Sequence, residues 1–248
     1  MKKLFVLVFF AFIGYAFVVN QDFRGNLIDE ARNVKEKLEN EFNNDSPNSL
    51  VNNNEVSENL TPKKSNSNNY SDKTKKYFNE ICYGSEFSGR SKITKKWKKD
   101  LKIYVEGNKK SFLITELNTI VRELNSIIDP IDITIVDSKS KANYIIYFCS
   151  GSEYASVEPA AKGRTNNNWG MFFVSSRNGE IFSGTMYVDV YRCKTYSSQK
   201  HLLREELTQS LGLMNDSYSY SNSIFYQGWT ETTSYAPIDI EIIEMLYN

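Results

Sequence analysis

The sequence predicts an α+β fold built around a mixed sheet. Three observations carry the prediction. One long stretch, residues 112–128, repeats its apolar residues at the period of an amphipathic helix. Several shorter runs alternate, or are apolar throughout, over the length of a strand. Their order is strand, helix, strands, helix, loop, helix, with no regular strand–helix repeat.

Residues 97–105 read as the first strand, ended by the turn Glu106-Gly107-Asn108. In the long helix the apolar positions are Leu113, Leu117, Ile120, Val121, Leu124 and Ile127, and Pro130 ends it. Residues 131–136 alternate and read as a second strand. Residues 142–148 are more continuously apolar, as a strand buried on both faces would be. Residues 170–175 and 181–191 read as a fourth and a fifth strand, joined through Arg177-Asn178-Gly179. A motif-bearing helix follows over residues 198–211, and a last helix over residues 237–246 has Pro237 at its start.

The region before this domain has a different character. Met1-Lys2-Lys3 precedes an apolar run over residues 4–19, the layout of a secretory signal, with cleavage after Ala16. The run also approaches the roughly 17–25 residues that span a bilayer. An uncleaved anchor is therefore the alternative, with the lysines inside and the rest exported. No cysteine follows the run, so a lipid-modified N-terminus is not expected. Residues 21–42 place Leu27, Ala31, Val34 and Leu38 at helical intervals. Residues 43–74 are rich in Asn, Ser and Lys and read as a linker, too poor in apolar residues to offset its ordering entropy. The expected organisation is a signal or anchor over 1–19, a short helix and linker over 20–74, and one domain over 75–248. The expected location is periplasmic or extracellular, or outward-facing on a membrane tether through residues 4–19.

Composition removes several functions. The 248 residues carry no net formal charge, which gives no reason to expect nucleic acid as a partner. The single histidine, His201, cannot supply the two or three His ligands that catalytic zinc usually takes. The same scarcity weighs against a Ser-His-Asp or Cys-His hydrolase. The three cysteines are Cys82, Cys149 and Cys193. Cys149 sits in an apolar run and reads as buried. Cys82 with Cys193 is the better candidate pair, and three reduced cysteines are the alternative.

The densest chemistry lies in Glu205-Glu206-Leu207-Thr208-Gln209-Ser210-Leu211-Gly212-Leu213-Met214-Asn215-Asp216. On a helix, Leu203, Leu207 and Leu211 form one stripe facing the core. Glu205 and Gln209 lie one turn apart, nearly opposite that stripe. Gly212 can take a left-handed conformation, end the helix and turn the chain so that Asn215 approaches Glu205 and Gln209. Such a set offers hard oxygen donors, suited to calcium or magnesium rather than zinc, and weak even for those. The plainer reading makes Glu205 and Gln209 the wet face of an amphipathic helix. His201, one turn earlier, reads as a surface or capping residue, with a single-ligand role as the alternative. Trp229 and Tyr235 either line a groove or pack into the core. Residues 217–221 read as an exposed Tyr/Ser loop, and Lys95, Lys96, Lys98 and Lys99 as solvated guards of an edge strand.

As a spacing, the stretch is Glu-Glu-x-x-Gln-x-x-Gly-x-x-Asn. It resembles the His-Glu-x-x-His-x-x-Gly-x-x-His of metzincin zinc proteases, with Glu206 and Gly212 in register and all three histidines replaced. Downstream, Ser223-Ile224-Phe225 resembles the metzincin Met-turn with Phe225 in the Met place. Asp239, Ile240, Ile243, Leu246 and Tyr247 resemble the helix that follows it. Tyr226 stands one place after Phe225, where some metzincins have a ligating Tyr two places on, so that role is not transferred. The combination Arg204-Glu205-Glu206, Gln209, Leu211-Gly212-Leu213, Asn215-Asp216, Ser223-Ile224-Phe225, Asp239 and Leu246-Tyr247 resembles an uncharacterised bacterial family, the domain of unknown function numbered 2927. The resemblance is strong over residues 202–247 and one of element order over 75–191.

That resemblance implies a zincin (metzincin)-like α+β fold: a twisted mixed sheet with a long helix on it, a motif helix and a C-terminal helix. It implies an exported protein and carries no established activity. Glu205, Gln209 and Asn215 stand at the places of the lost zinc ligands, and Glu206 stands where the general base would be. Without a Lewis acid a lone carboxylate activates water poorly, so no zinc and no cofactor are expected. Three functions follow. One is a non-catalytic module that binds an unknown protein or peptide in the old cleft, where an extended chain can add to the edge strand. Another is a metallopeptidase-like hydrolase with an oxygen-ligand centre and Glu206 as base. The last is a structural envelope component, in which the polar row ties the helix to its following turn.

Overall fold

The computed structural model describes residues 70–83 and 93–247, so the expected signal or anchor, the helix over 21–42 and nearly all of the linker lie outside the described residues. The first helix, α1 (Asp72–Cys82), starts inside the stretch read as linker. Ser71 caps it by accepting a hydrogen bond from the Thr74 backbone at 3.1 Å. Tyr77, Ile81 and Cys82 are its buried apolar residues, enough to hold a polar helix down.

The expected first strand is two pieces, β1 (Lys96–Trp97) and β2 (Leu101–Gly107). In β2 the residues Leu101, Ile103 and Val105 are buried in alternation. Gly107 has φ +89°, and a Cβ there would come within 2.4 Å of the Phe148 carbonyl oxygen. Only glycine lets β2 end so close to its neighbour. Then come α2 (Ser111–Ile127), β3 (Ile133–Ile135) and β4 (Tyr144–Cys149). A short helix absent from the sequence reading, α3 (Gly151–Val157), follows under a Ser150/Glu153 capping box. β5 (Gly170–Arg177) and β6 (Glu180–Asp189) form a hairpin whose turn residues, Asn178 and Gly179, both have positive φ. The motif helix is α4 (Tyr196–Gln209), and α5 (Pro237–Tyr247) closes the chain.

The protein is thus a mixed α/β structure. Its sheet runs β3-β2-β4-β6-β5, with β1 against the start of β6 on the side away from β5. All pairings are parallel except that of β5, which runs antiparallel along β6 and forms one edge. Alternation along β4 and β6 gives two cores. Ile146, Phe148, Met186 and Val188 face the larger core, under α1, α2, α4 and α5. Tyr147, Cys149 and Tyr187 face a smaller one, with Tyr154 of α3.

The cysteines resolve against the proposed bridge. Cys82, Cys149 and Cys193 are all free and buried. Burial pushes the Cys149 thiol up to about 12 and the Cys193 thiol to about 11. The lysine run also divides, because Lys96 lies within β1 and its ammonium donates to the Leu246 carbonyl at 2.8 Å.

Candidate functional site

Helix α4 starts at Thr195, whose hydroxyl accepts from the Ser198 backbone at 3.0 Å. Leu203, Leu207 and Leu211 are fully buried, as the apolar stripe predicts. The opposite side is not wet, however. Of residues 201–210 only Glu205 is partly exposed, and Gln209 is buried. Tertiary contact covers the polar face, which helical spacing cannot reveal.

One flank of α4 is sealed by charge. Arg204, 1% exposed, donates to Glu116 of α2 at 2.8 Å and to Glu123, and its guanidinium lies 4.7 Å over the Tyr235 ring. Lys200 reaches the same Glu116 at 3.4 Å. Thr208 bonds the Arg204 carbonyl at 2.6 Å and the Tyr235 hydroxyl at 2.8 Å. Tyr235 is therefore a packing residue of this flank.

The other flank carries His201, which is buried, not a surface cap. Its Nδ1 lies 2.8 Å from the Thr232 carbonyl, which can only accept, so Nδ1 carries a proton. Nε2 faces Glu205 Oε2 at 3.3 Å. Burial disfavours the imidazolium, but the Glu205 carboxylate, the Thr232 carbonyl and the Glu231 charge outweigh it and hold His201 above its usual range. Glu231 itself accepts from Thr195 at 2.9 Å and from Ser198. Beside this pair Trp229 stands 55% exposed, 5.6 Å edge-on from Trp169, which is 39% exposed. Trp229 is also 6.3 Å from the His201 ring.

The four residues singled out by the motif do not converge. Glu205 pairs with His201. Gln209 donates its amide to Asp216, one residue beyond the expected partner. Asn215 turns away: its backbone and side-chain N–H groups both reach the Ile81 carbonyl at the end of α1, at 3.1 and 3.0 Å. The turn expected at Gly212 is present, with φ +129°, but it delivers Asp216 rather than Asn215 to Gln209. Glu206 is buried against the start of β5, where a Cβ on Gly170 would come within 2.7 Å of its Oε1.

The Ser223-Ile224-Phe225 turn is fully buried. Its organiser is Asp239, the third residue of α5, which accepts from Ser223 Oγ at 2.6 Å, Ile224 N at 3.0 Å and Ala236 N at 2.8 Å. Burial pushes the Asp239 carboxyl up against the lowering effect of those bonds. Tyr77 of α1 donates to Ser223 Oγ at 2.7 Å. The motif gave no role to Arg204, Asp216, Glu231 or Trp169. Arg204 and Asp216 did carry a signal, their places in the Arg-Glu-Glu and Asn-Asp runs of the family resemblance.

These donors do not fit zinc. One carboxylate faces a histidine, and the two amides offer only neutral, hard oxygen donors, while Asn215 is turned to Ile81. Among the described residues no three His, Cys, Asp or Glu side chains stand together as a metal would need. What remains is a polar helix locked on one flank and, on the other, a buried His–Glu pair beside the solvent-facing Trp229, with Trp169 edge-on to it.

A family model described as a protein of unknown function, DUF2927, matches residues 71–248. Two solved structures of myroilysin are similar at 12% identity. One covers 61% of this chain and 82% of its own with a TM-score of 0.37, the other 68% and 94% with 0.40. No curated protein matches.

Proposed function

The chain belongs to the DUF2927 family, and from that premise we propose that it is an exported, zincin-like, non-catalytic module that binds a protein or peptide beside its motif helix. The zincin-like reading is supported by the element order and by an antiparallel strand, β5, at the sheet edge next to the helix that carries the degenerate motif. The basic and apolar start of the chain supports export. Protease treatment of spheroplasts, which lack the outer barrier, should cut the domain if it is exported, and protection of the domain there would refute export.

The observation that carries the binding function is the Trp169–Trp229 pair. Exposed indoles packed edge to face keep apolar surface in water that a partner would remove. Trp169 immediately precedes β5, so an extended peptide added to that edge would run past it. The test is selection of a random peptide library on the purified full chain, followed by titration of the selected peptides. Trp229→Ala should weaken binding about tenfold or more, the order expected for an aromatic hot spot. Equal affinity for wild type and Trp229→Ala would remove this surface from the reading. A stoichiometric metal, lost in a Glu205→Ala/Gln209→Ala variant and accompanied by peptide hydrolysis, would replace it with the hydrolase.

A further inference from the structure

The tip of the β5–β6 hairpin carries a second surface, independent of the motif helix. Two adjoining hollows flank the turn at Asn178 and Gly179. One, of about 420 Å³, is lined by Lys98, Arg177, Asn178, Glu180 and Phe182. The other, of about 390 Å³, shares Lys98 and Asn178 and is walled by Phe78, Ile93 and Met245. Two apolar side chains stand in solvent here, Phe182 at 52% exposure and Ile93 at 61%. Cations surround them. Lys98 and Arg177 are exposed, and neither forms an ion pair among the described residues. Lys96 shows the contrast, because its ammonium is already committed to the Leu246 carbonyl and the Tyr247 ring.

An acidic protein would satisfy the cations but gives no reason for an exposed phenyl and an exposed isoleucine among them. A bilayer of anionic lipid uses both: cations meet the headgroups while apolar side chains enter the acyl boundary. We propose that the hairpin tip is a docking surface for an anionic lipid bilayer. Lys98 and Arg177 contact the headgroup phosphates, and Phe182 and Ile93 insert beside them. The Glu180 carboxylate, within the first hollow, sets a limit on attraction, so binding depends on salt.

The test uses the full chain as a Phe182→Cys variant labelled with an environment-sensitive dye. The native cysteines are buried, so labelling is selective. Vesicles of equal parts phosphatidylglycerol and phosphatidylcholine should blue-shift the dye, and vesicles of phosphatidylcholine alone should not. Added Lys98→Gln/Arg177→Gln should weaken the response about 25-fold, at roughly fivefold per charge removed, with the melting temperature unchanged. Any attachment through residues 4–19 is common to all samples, and the dye reads only the hairpin tip. No shift on anionic vesicles, an equal shift on both compositions, or a shift that survives charge removal would each overturn the proposal. So would the same shift produced by soluble polyaspartate, which would assign the surface to an acidic polypeptide.

Discussion

The two flanks of the motif helix differ in what they leave to solvent. On one, Arg204, Thr208 and Tyr235 form a closed set in which a buried guanidinium meets two carboxylates and an aromatic ring, with only its Nε left without a hydrogen bond among the described residues. On the other, His201 and Glu205 are just as polar and nearly as buried, yet Trp229 beside His201 stands in water with Trp169 edge-on to it. The Asp239 centre behind the buried turn belongs with the first kind, and so does Asp189 behind α3. Closed polar sets fix geometry, because any loosened group is left unpaired in a dry site. An open aromatic lid does not hold the fold together. Polarity alone therefore does not tell the two flanks of α4 apart, whereas exposure of large apolar surface beside one of them does.

The comparison breaks most sharply at Asp239. Asp239→Ala removes the acceptor for Ile224 N and for Ala236 N at the start of α5, both in buried residues. The expected loss is about 4 kcal/mol, read as a fall in denaturation midpoint at constant slope. Arg204→Ala comes next, at about 3 kcal/mol, because Glu116 stays buried with only Lys200 in reach. A loss under about 1 kcal/mol at either position would remove the contrast between closed and open sets.

Asp189 sharpens the same contrast through pH. It is fully buried and accepts from the backbone of Gly151, Tyr191 and Arg192 and from the Arg192 side chain. Burial alone would raise its carboxyl, but those bonds outweigh it and hold the group below its ordinary value of 3.8. A carboxylate depressed in the folded state contributes stability that is present above the unfolded value. That stability is lost as pH falls below 3.8 towards the folded value. Melting curves across that acid window should show the wild type losing its advantage over Asp189→Asn, and a constant difference would contradict the assignment.

Much of this was legible in the sequence, and the rest was hidden for physical reasons. The alternation in β2, the helical period of α2 and the Asn-Gly turn of the hairpin are local signals, and each produced its element. α1 was hidden because it holds few apolar residues and looks like the polar linker before it. α3 had a readable Ser150/Glu153 capping box, but seven residues are too few for a periodic pattern. The motif named Glu205, Glu206, Gln209 and Asn215, yet their partners come from distant segments. Ile81 of α1, Gly170 of β5 and Thr232 of the final loop have no sequence spacing that would reveal them. The sequence left the Cys82–Cys193 bridge and three reduced cysteines both open for a similar reason, since bridging depends on where the two lie in space, and the structure has the reduced alternative.

Smaller effects are expected on the open flank. Gln209→Ala cuts the tie between the helix end and Asp216, and about 1 kcal/mol of stability should go with it. A larger loss would assign the polar row to a purely structural role. Trp229→Ala should cost least of all. Its ring is more than half exposed and bonds nothing beneath it that the chain does not already satisfy, because His201 keeps both Thr232 and Glu205. The unfolding free energy should stay within about 0.5 kcal/mol of wild type, as for surface substitutions in general. Affinity for selected peptides should fall at the same time. If stability fell with affinity, Trp229 would belong to the packing, and both flanks of α4 would be scaffold.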